Sequence, residues 1–156
     1  MEITENKRRI LLIIPAYNEE ENIESVVNNI QQNYPQYDYV IVNDGSGDRT
    51  EEICEDNEYR LLNLPLNLGI GGAVQTGYRY ALQNHYDIAI QIDGDGQHDI
   101  AYVEKLIEPI LSGRADITIG SRFLEKEGFQ SSTARRMGIS FLSGLIHMLC
   151  FQRVKD

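Results

Sequence analysis

Cysteine is scarce in this chain: Cys54 and Cys150 are the only two. They stand far apart, in no C-x-x-C or comparable spacing, which excludes a local zinc or dithiol redox motif. Each reads as a reduced, packed thiol, which suits a reducing cytoplasm. Long hydrophobic runs are also missing. No stretch approaches the roughly 20 apolar residues needed to cross a bilayer. The apolar run Ile10–Ile14, behind the polar start MEITENKRR, is too short for a signal-peptide core. Internal repeats, low-complexity tracts and Pro/Ser-rich linkers are absent, so one domain is expected. Basic residues are few: 14 against 24 acidic ones give a net charge of −10. That argues against a nucleic-acid-binding surface, although not against a nucleotide bound through a metal ion. What is present is ordinary for a globular chain of 156 residues, with 42% hydrophobic and 24% charged positions and enough length for a core.

One stretch organises the rest: Asp87–Asp99, DIAIQIDGDGQHD. Its apolar, β-branched run Ile88–Ile92 predicts a fully buried central strand. The run ends at Asp93-Gly94-Asp95-Gly96. Two carboxylates one glycine apart, with no basic neighbour in the motif, repel each other unless a hard cation lies between them. Gln97, His98 and Asp99 add ligand-capable groups, and the glycines allow a tight turn. A solvated acidic turn is the plain alternative, since Asp-Gly is common in turns.

Strand and helix signals alternate along the chain. Arg9–Pro15 predicts a first buried strand. Asn18 then reads as a helix N-cap with Glu21 completing a capping box, and Ile23, Val26, Val27 and Ile30 form one helical face. Tyr39–Asn43 predicts a second strand, and Asp48, with Glu51, caps a short helix reaching about Asn57. Tyr59–Leu64 is a weaker third strand. Ala73, Val74, Gly77, Tyr78, Ala81 and Leu82 make a second helical stripe. A helix is expected from about Ile100 to Leu111 on Val103, Leu106, Ile107 and Ile110, kinked or cut short by Pro109. Asp116–Gly120 reads as a further strand. Such alternation predicts an α/β fold, a mostly parallel central sheet flanked by helices. Ligands of such sheets gather at strand carboxyl ends. There the sequence places Ala16–Glu20, Asp44–Asp48, Asp93–Asp99 and Ser121-Arg122.

Familiar alternatives fail on particular residues. Gly69-Ile70-Gly71-Gly72 lacks the third glycine of a dinucleotide fingerprint, because Val74 stands there, and no GK[ST] of a P-loop occurs. EF-hand loops counted from Asp44 or Asp93 have Arg49 or His98 where the invariant glycine belongs, and both follow strands. No nucleophile–base arrangement is visible. His85, His98 and His147 read as a loop residue, a site-adjacent residue and a helix-surface residue.

The segments IIPAYNEEENI, VNDGSGDRT, NLGIGGAVQTGYRYA, QIDGDGQHD and GSRF, in order across most of Ile13–Phe123, resemble family 2 glycosyltransferases of the Rossmann-like GT-A fold. The likeness is greatest to the branch of dolichyl-phosphate mannose synthases and bacterial polyprenyl-phosphate sugar transferases. The resemblance implies that Pro15, Ala16, Tyr17, Glu19 and Gly71 line a nucleotide pocket and that Asp44 binds the base. It implies Asp93, Asp95 and Gln97 around a Mg²⁺ or Mn²⁺ ion on the diphosphate of a UDP- or GDP-sugar. It gives Asp93, Asp95 and Arg122 the catalytic roles, and places Arg122, Arg135 and Arg136 at the phosphate of a lipid acceptor. The reaction it implies is an inverting displacement. A lipid phosphate, already anionic, needs arginines for positioning more than a base for activation. Transfer to a saccharide hydroxyl, or a nucleotide-sugar-binding module without catalysis, are the alternatives.

The C-terminal part bears on the acceptor. Residues 1–133 are expected to form the nucleotide-sugar-binding domain and 134–156 an amphipathic helix. Met137, Phe141, Leu142, Leu145, Ile146, Met148 and Leu149, flanked by Arg135, Arg136, Arg153 and Lys155, suit a helix lying on a membrane surface. A core or dimer-interface helix fits the same residues, and self-association is one use for such a face. The resemblance favours the membrane, hence a cytoplasmic protein at its inner face. Members of the family continue past this point with an acidic motif and a Gly-Phe-Arg-like segment, so the chain reads as either truncated or unusually short, with its acceptor half incomplete.

Overall fold

The computed structural model describes residues 8–94 and 100–120. The chain divides into two compact units, 1–107 and 108–156. In order, the elements are β1 (Ile10–Ala16), α1 (Ile23–Asn33), β2 (Asp38–Asn43), α2 (Thr50–Asp56), β3 (Leu61–Asn63), α3 (Gly69–Gln83) and β4 (Ile88–Gln91). A single 3-10 turn, Ile100–Tyr102, then leads into α4 (Val103–Leu111).

The four strands pair in parallel in the order β3-β2-β1-β4. A strand between two others, covered on both faces, must be apolar throughout rather than alternating. Leu11–Ile14 of β1 and Val40–Val42 of β2 meet that condition and are wholly buried. The right-handed crossover rule puts α1 and α2 on one face, as the chain steps from β1 out to β3, and α3 on the other, as it returns to β4. On the α3 face, Ala73 and Ala81 close a core with Leu11, Ile13, Val40 and Val42. The fit is close: a Cβ built on Gly77 would fall inside the Ile13 side chain. The predicted α1 stripe, Ile23, Val26, Val27 and Ile30, is buried in full.

Three sequence expectations need correction. First, β4 is an edge strand of the described sheet, paired to β1 alone, and only Ile88 in it is buried. Second, Asp116–Gly120 forms no strand, and Ile117 and Ile119 are 80% and 86% exposed. Alternating β-branched residues make a strand only where a neighbour supplies a ladder, and none of the described strands pairs with this segment. Third, the α3 stripe is half as wide as its spacing implies. Ala73, Gly77 and Ala81 face the sheet, whereas Tyr78 and Leu82 are exposed, because a helix this close admits only small side chains. Pro109 does not end α4 early: the helix runs on to the expected Leu111. It lies in the last turn, and its carbonyl accepts the N–H groups of Arg114 and Ala115.

At the N-terminal ends of the strands, a polar clamp joins the four of them. The Tyr86 hydroxyl donates to Asp38 Oδ2 (2.8 Å) and accepts from Arg60 (3.1 Å), while the Arg9 guanidinium lies 4.3 Å from the Tyr86 ring centre. Burial and the Asp38 carboxylate push the Tyr86 phenol up. Cys54, on α2, is a free and wholly buried thiol, as its sequence setting suggests. Burial, then Glu51 and Glu55, push it up to about 11.

Candidate functional site

The loops that follow β1 and β2 are stitched together. The ladder continues past the strands through the Asp44 N–H to the Ala16 carbonyl (2.9 Å). Beyond it, Asn18 N–H donates to Ser46 Oγ (3.0 Å) and Gly47 N–H returns to Asn18 Oδ1 (2.8 Å). Glu19 N–H donates to Thr50 Oγ1 (2.9 Å), and that hydroxyl donates onward to Asp48 Oδ1 (2.6 Å). Glu20 N–H reaches Asp48 Oδ2 (3.1 Å), while Arg49 N–H donates to Glu20 Oε2 (3.0 Å). Burial raises the Asp48 carboxyl, but bonds from the Thr50 hydroxyl and from the Thr50 and Glu20 amides outweigh it and hold the group below the usual range.

Asp48 accepts the Thr50 N–H at the start of α2 (3.0 Å), as a cap would, but the stitching changes the rest of the expected capping. Asn18 sits in the left-handed region (φ 57°) and bonds the β2 loop, so α1 starts later, at Ile23, on bonds from the Asn22 and Ile23 amides to the Glu19 carbonyl. Glu51, expected to complete a box with Asp48, instead accepts from Asn63 Nδ2 (2.8 Å) on β3.

Above these strand ends lies a cavity of about 330 Å³. Its walls include Pro15, Ala16, Tyr17 and Glu19 from the β1 loop, Asp44 from β2, and Asp93 with Gly94 after β4. Ile92 N–H donates to the Ile13 carbonyl (3.0 Å), which carries the β4 ladder up to Asp93. A Cβ on Gly94 would stand 3.1 Å from the Pro15 carbonyl, a tight contact that glycine avoids where this turn lies near β1. The fourth wall is the β3–α3 loop and the start of α3, with Asn67, Gly69, Ile70 and Ala73. Gly45 brings that wall in. At φ +66° it adopts a conformation unfavourable for other residues, and any Cβ would stand 2.8 Å from the Asn67 backbone nitrogen. Leu68 N–H can then reach Asp44 Oδ1 at 2.7 Å. Asp44 is 3% exposed, a carboxylate held at the floor of the cavity by that bond.

Thus Pro15, Ala16, Tyr17, Glu19, Asp44 and Asp93, picked from separate parts of the sequence, line one cavity. Gly71 does not: it sits exposed in the first turn of α3, and a Cβ there would touch nothing. Asp95, Gln97, Arg122, Arg135 and Arg136 lie outside the described residues, as do His98, His147, Cys150 and the 134–156 helix. Sequence reading missed Asn67, Ile70 and the cavity role of Ala73. The available signal was Asn67-Leu68-Gly69, an Asn-capped helix start behind a polar strand end. A larger hollow, about 570 Å³, is lined by residues including Ile30, Pro35, Tyr37, Asp38 and Arg60. It lies at the opposite end of β2, where Asp38 and Arg60 are already joined to each other and to Tyr86.

Among the described residues, no three His, Cys, Asp or Glu side chains gather as a metal-holding group. Asp93 is the described member of the expected set. Together with Asp95 and Gln97 it offers only oxygen donors, a set that suits Mg²⁺ or Mn²⁺.

Comparison with known proteins now bears on this geometry. The family model described as glycosyl transferase family 2 matches residues 11–153. The chain belongs to that family. It is 34% identical over 158 residues to the UDP-N-acetylglucosamine–dolichyl-phosphate N-acetylglucosaminyltransferase of Methanococcus voltae, covering 88% of this chain and 62% of that protein. It is 29% identical to the polyprenol monophosphomannose synthase of Mycolicibacterium smegmatis, covering 85% of this chain and 52% of that one. The chain therefore spans little more than half the length of these relatives. Among solved structures, glucosyl-3-phosphoglycerate synthase of Mycobacterium tuberculosis, in complex with Mn²⁺, UDP and its product, has a TM-score of 0.54 and 29% identity over 67% of this chain and 40% of that one. The expected GT-A-type α/β fold is thereby established for this chain.

Proposed function

We propose that this chain carries the donor-binding half of a metal-dependent, inverting glycosyltransferase that moves a sugar from a UDP- or GDP-sugar to a polyprenyl phosphate. The observation that carries the reading is the meeting of Asp44, Glu19 and Asp93 on one cavity at the strand carboxyl ends of a family 2 chain. The names of its relatives, which act on dolichyl or polyprenol phosphates, support the acceptor.

In this reading Asp44 accepts an N–H of the base, a buried polar contact that discriminates strongly between substrates. Tyr17, half-exposed on the cavity wall, covers the base or ribose. Asp93, with Asp95 and Gln97, would hold Mg²⁺ or Mn²⁺, whose chemistry when bound is to offset the charge of the departing diphosphate. Arg122, Arg135 and Arg136 orient the acceptor phosphate by charge-assisted bonds. A phosphate oxygen of the acceptor then forms the new bond to the anomeric carbon as the bond to the nucleotide's β-phosphate oxygen breaks, which inverts that carbon. No proton has to be removed from an anionic acceptor, so no general base is required. The segment 134–156 would lie on the inner face of the membrane, where such acceptors reside, and its apolar face also allows self-association. No described helix is long and apolar enough to cross the membrane.

The test is transfer of labelled sugar from UDP- or GDP-sugars to a short-chain polyprenyl phosphate, with a free saccharide as rival acceptor, using the full-length gene product. Label in the lipid phosphate, lost on chelation of divalent metal, is the expected result. Label in the saccharide alone would overturn the acceptor, and metal-independent transfer would overturn the metal.

A further inference from the structure

Three successive amides of the β1 loop are held by side chains of the β2 loop, none of which lines the cavity. Asn18 N–H meets Ser46 Oγ, Glu19 N–H meets Thr50 Oγ1 and Glu20 N–H meets Asp48 Oδ2. Asp48 Oδ1 also takes the Thr50 N–H (3.0 Å) and the Thr50 hydroxyl proton (2.6 Å). That last bond decides what the hydroxyl can do. A hydroxyl has one proton, and because Asp48 takes it, the oxygen turns its lone pairs to the Glu19 N–H at 2.9 Å. The Glu19 backbone is thereby fixed, and so is its side chain. Oε2 accepts from Asn22 Nδ2 (2.9 Å), and Cγ runs beside the turn after β4, 3.5 Å from where a Gly94 Cβ would stand. Oε1 makes no bond among the described residues, and Glu19 lines the cavity.

We propose, resting on the nucleotide-sugar reading above, that Thr50 and Asp48 are positioning residues: they touch no ligand, and act through Glu19, whose carboxylate they hold against the bound nucleotide. Of the three bridged residues, Asn18 and Glu20 are exposed and line no wall, whereas Glu19 does. Water can stand in for the partners of the exposed amides, since Ser46 and Asp48 are only partly buried. It cannot stand in for Thr50, which is wholly buried. The most exacting bridge therefore falls on the one residue that faces the donor. A misplacement of about 1 Å is enough to forfeit such a contact. The carboxylate at 48 is as necessary as the hydroxyl. An asparagine there has one oxygen instead of two, so either orientation of its amide turns an N–H₂ toward a donor, on Thr50 or on Glu20.

Calorimetric titration of the whole chain with UDP and GDP in Mn²⁺, below the melting temperature of each variant, tests the roles of Thr50 and Asp48. Thr50→Val and Asp48→Asn should each weaken the nucleotide that wild type binds by about tenfold, the scale of one lost polar contact. Asp48→Asn serves where Thr50→Val does not fold. Thr50→Ser, which keeps the hydroxyl, should bind as wild type does. Glu19→Ala should weaken binding to the same extent, and adding Thr50→Val or Asp48→Asn to it should cost nothing more, because effects carried by one shared group do not add. Variants that melt lower yet bind as wild type would overturn the positioning role and leave the junction a structural one. A tenfold loss that persists in the Glu19→Ala background would overturn it as well, since the junction would then act on another group. Glu19→Ala binding as wild type would overturn it while the nucleotide-sugar reading stands. Absence of binding of either nucleotide by wild type would overturn both.

Discussion

Thr50→Val removes one oxygen from the junction of the two site loops and little else. Thr50 is wholly buried, and valine matches it in shape. The hydroxyl accepts the Glu19 N–H at 2.9 Å and donates to Asp48 at 2.6 Å. Leaving the Glu19 amide without a partner costs about 1–3 kcal/mol. Losing the bond to the carboxylate costs about 1 kcal/mol more, at the low end for charged acceptors, because Asp48 is only partly buried and water can replace the hydroxyl. The added methyl group returns less than about 1 kcal/mol. A net loss of about 2–3 kcal/mol follows, or roughly 4–12 °C in melting temperature for a domain of this size. Urea unfolding at neutral pH, with an unchanged m-value, is the assay. The pH dependence sharpens it. The Asp48 carboxyl is held below its ordinary value, so its contribution is complete above about pH 4 and is lost as pH falls through the folded-state value. The gap between wild type and Thr50→Val should therefore narrow in acid. A loss under about 0.5 kcal/mol, the range of ordinary surface changes, would refute the stitching as a structural bond.

Gly45→Ala places a Cβ against the Asn67 backbone at a positive φ, and should cost about 1–3 kcal/mol while weakening nucleotide binding, because Leu68 can no longer reach Asp44. Denaturant melts and nucleotide titration check the two effects together. Cys54, pushed up to about 11, should react with thiol reagents in the folded chain far more slowly than in urea. Its neutral thiol contributes stability that is full below the unfolded value and falls as pH rises from about 9 towards its folded value, so Cys54→Ala should flatten that alkaline decline. Tyr86→Phe breaks the clamp at the far end of the sheet and should cost about 1 kcal/mol without altering nucleotide affinity.

Sequence patterning predicted this fold well where burial on both faces leaves only one option. The apolar runs of β1 and β2 and the α1 stripe are of that kind. It predicted poorly where a partner outside the window decides. Ile117 and Ile119 alternate like strand residues yet pair with none of the described strands, and β4 has an apolar run but lies at an edge of the described sheet. The α3 stripe was misjudged because spacing marks the apolar residues, not how closely the helix approaches; Gly77 against Ile13 sets that distance. Within the site, the carboxylates Glu19, Asp44 and Asp93 were legible from the polar clusters at the strand carboxyl ends and from the family resemblance of the motifs that carry them. Asn67 was not, since nothing local in Asn-Leu-Gly announces that Gly45, far off in sequence, folds against it. Nor could Asn18 be told from a cap, because its true partners, Ser46 and Gly47, lie on another loop.

The most direct test of the central claim is the metal dependence of nucleotide binding by this chain. Titrating UDP and GDP in the presence and absence of Mn²⁺ should give binding of at least one nucleotide that requires the metal and is lost in Asp93→Ala. Binding that ignores both Mn²⁺ and Asp93, or no binding of either nucleotide, would contradict the account.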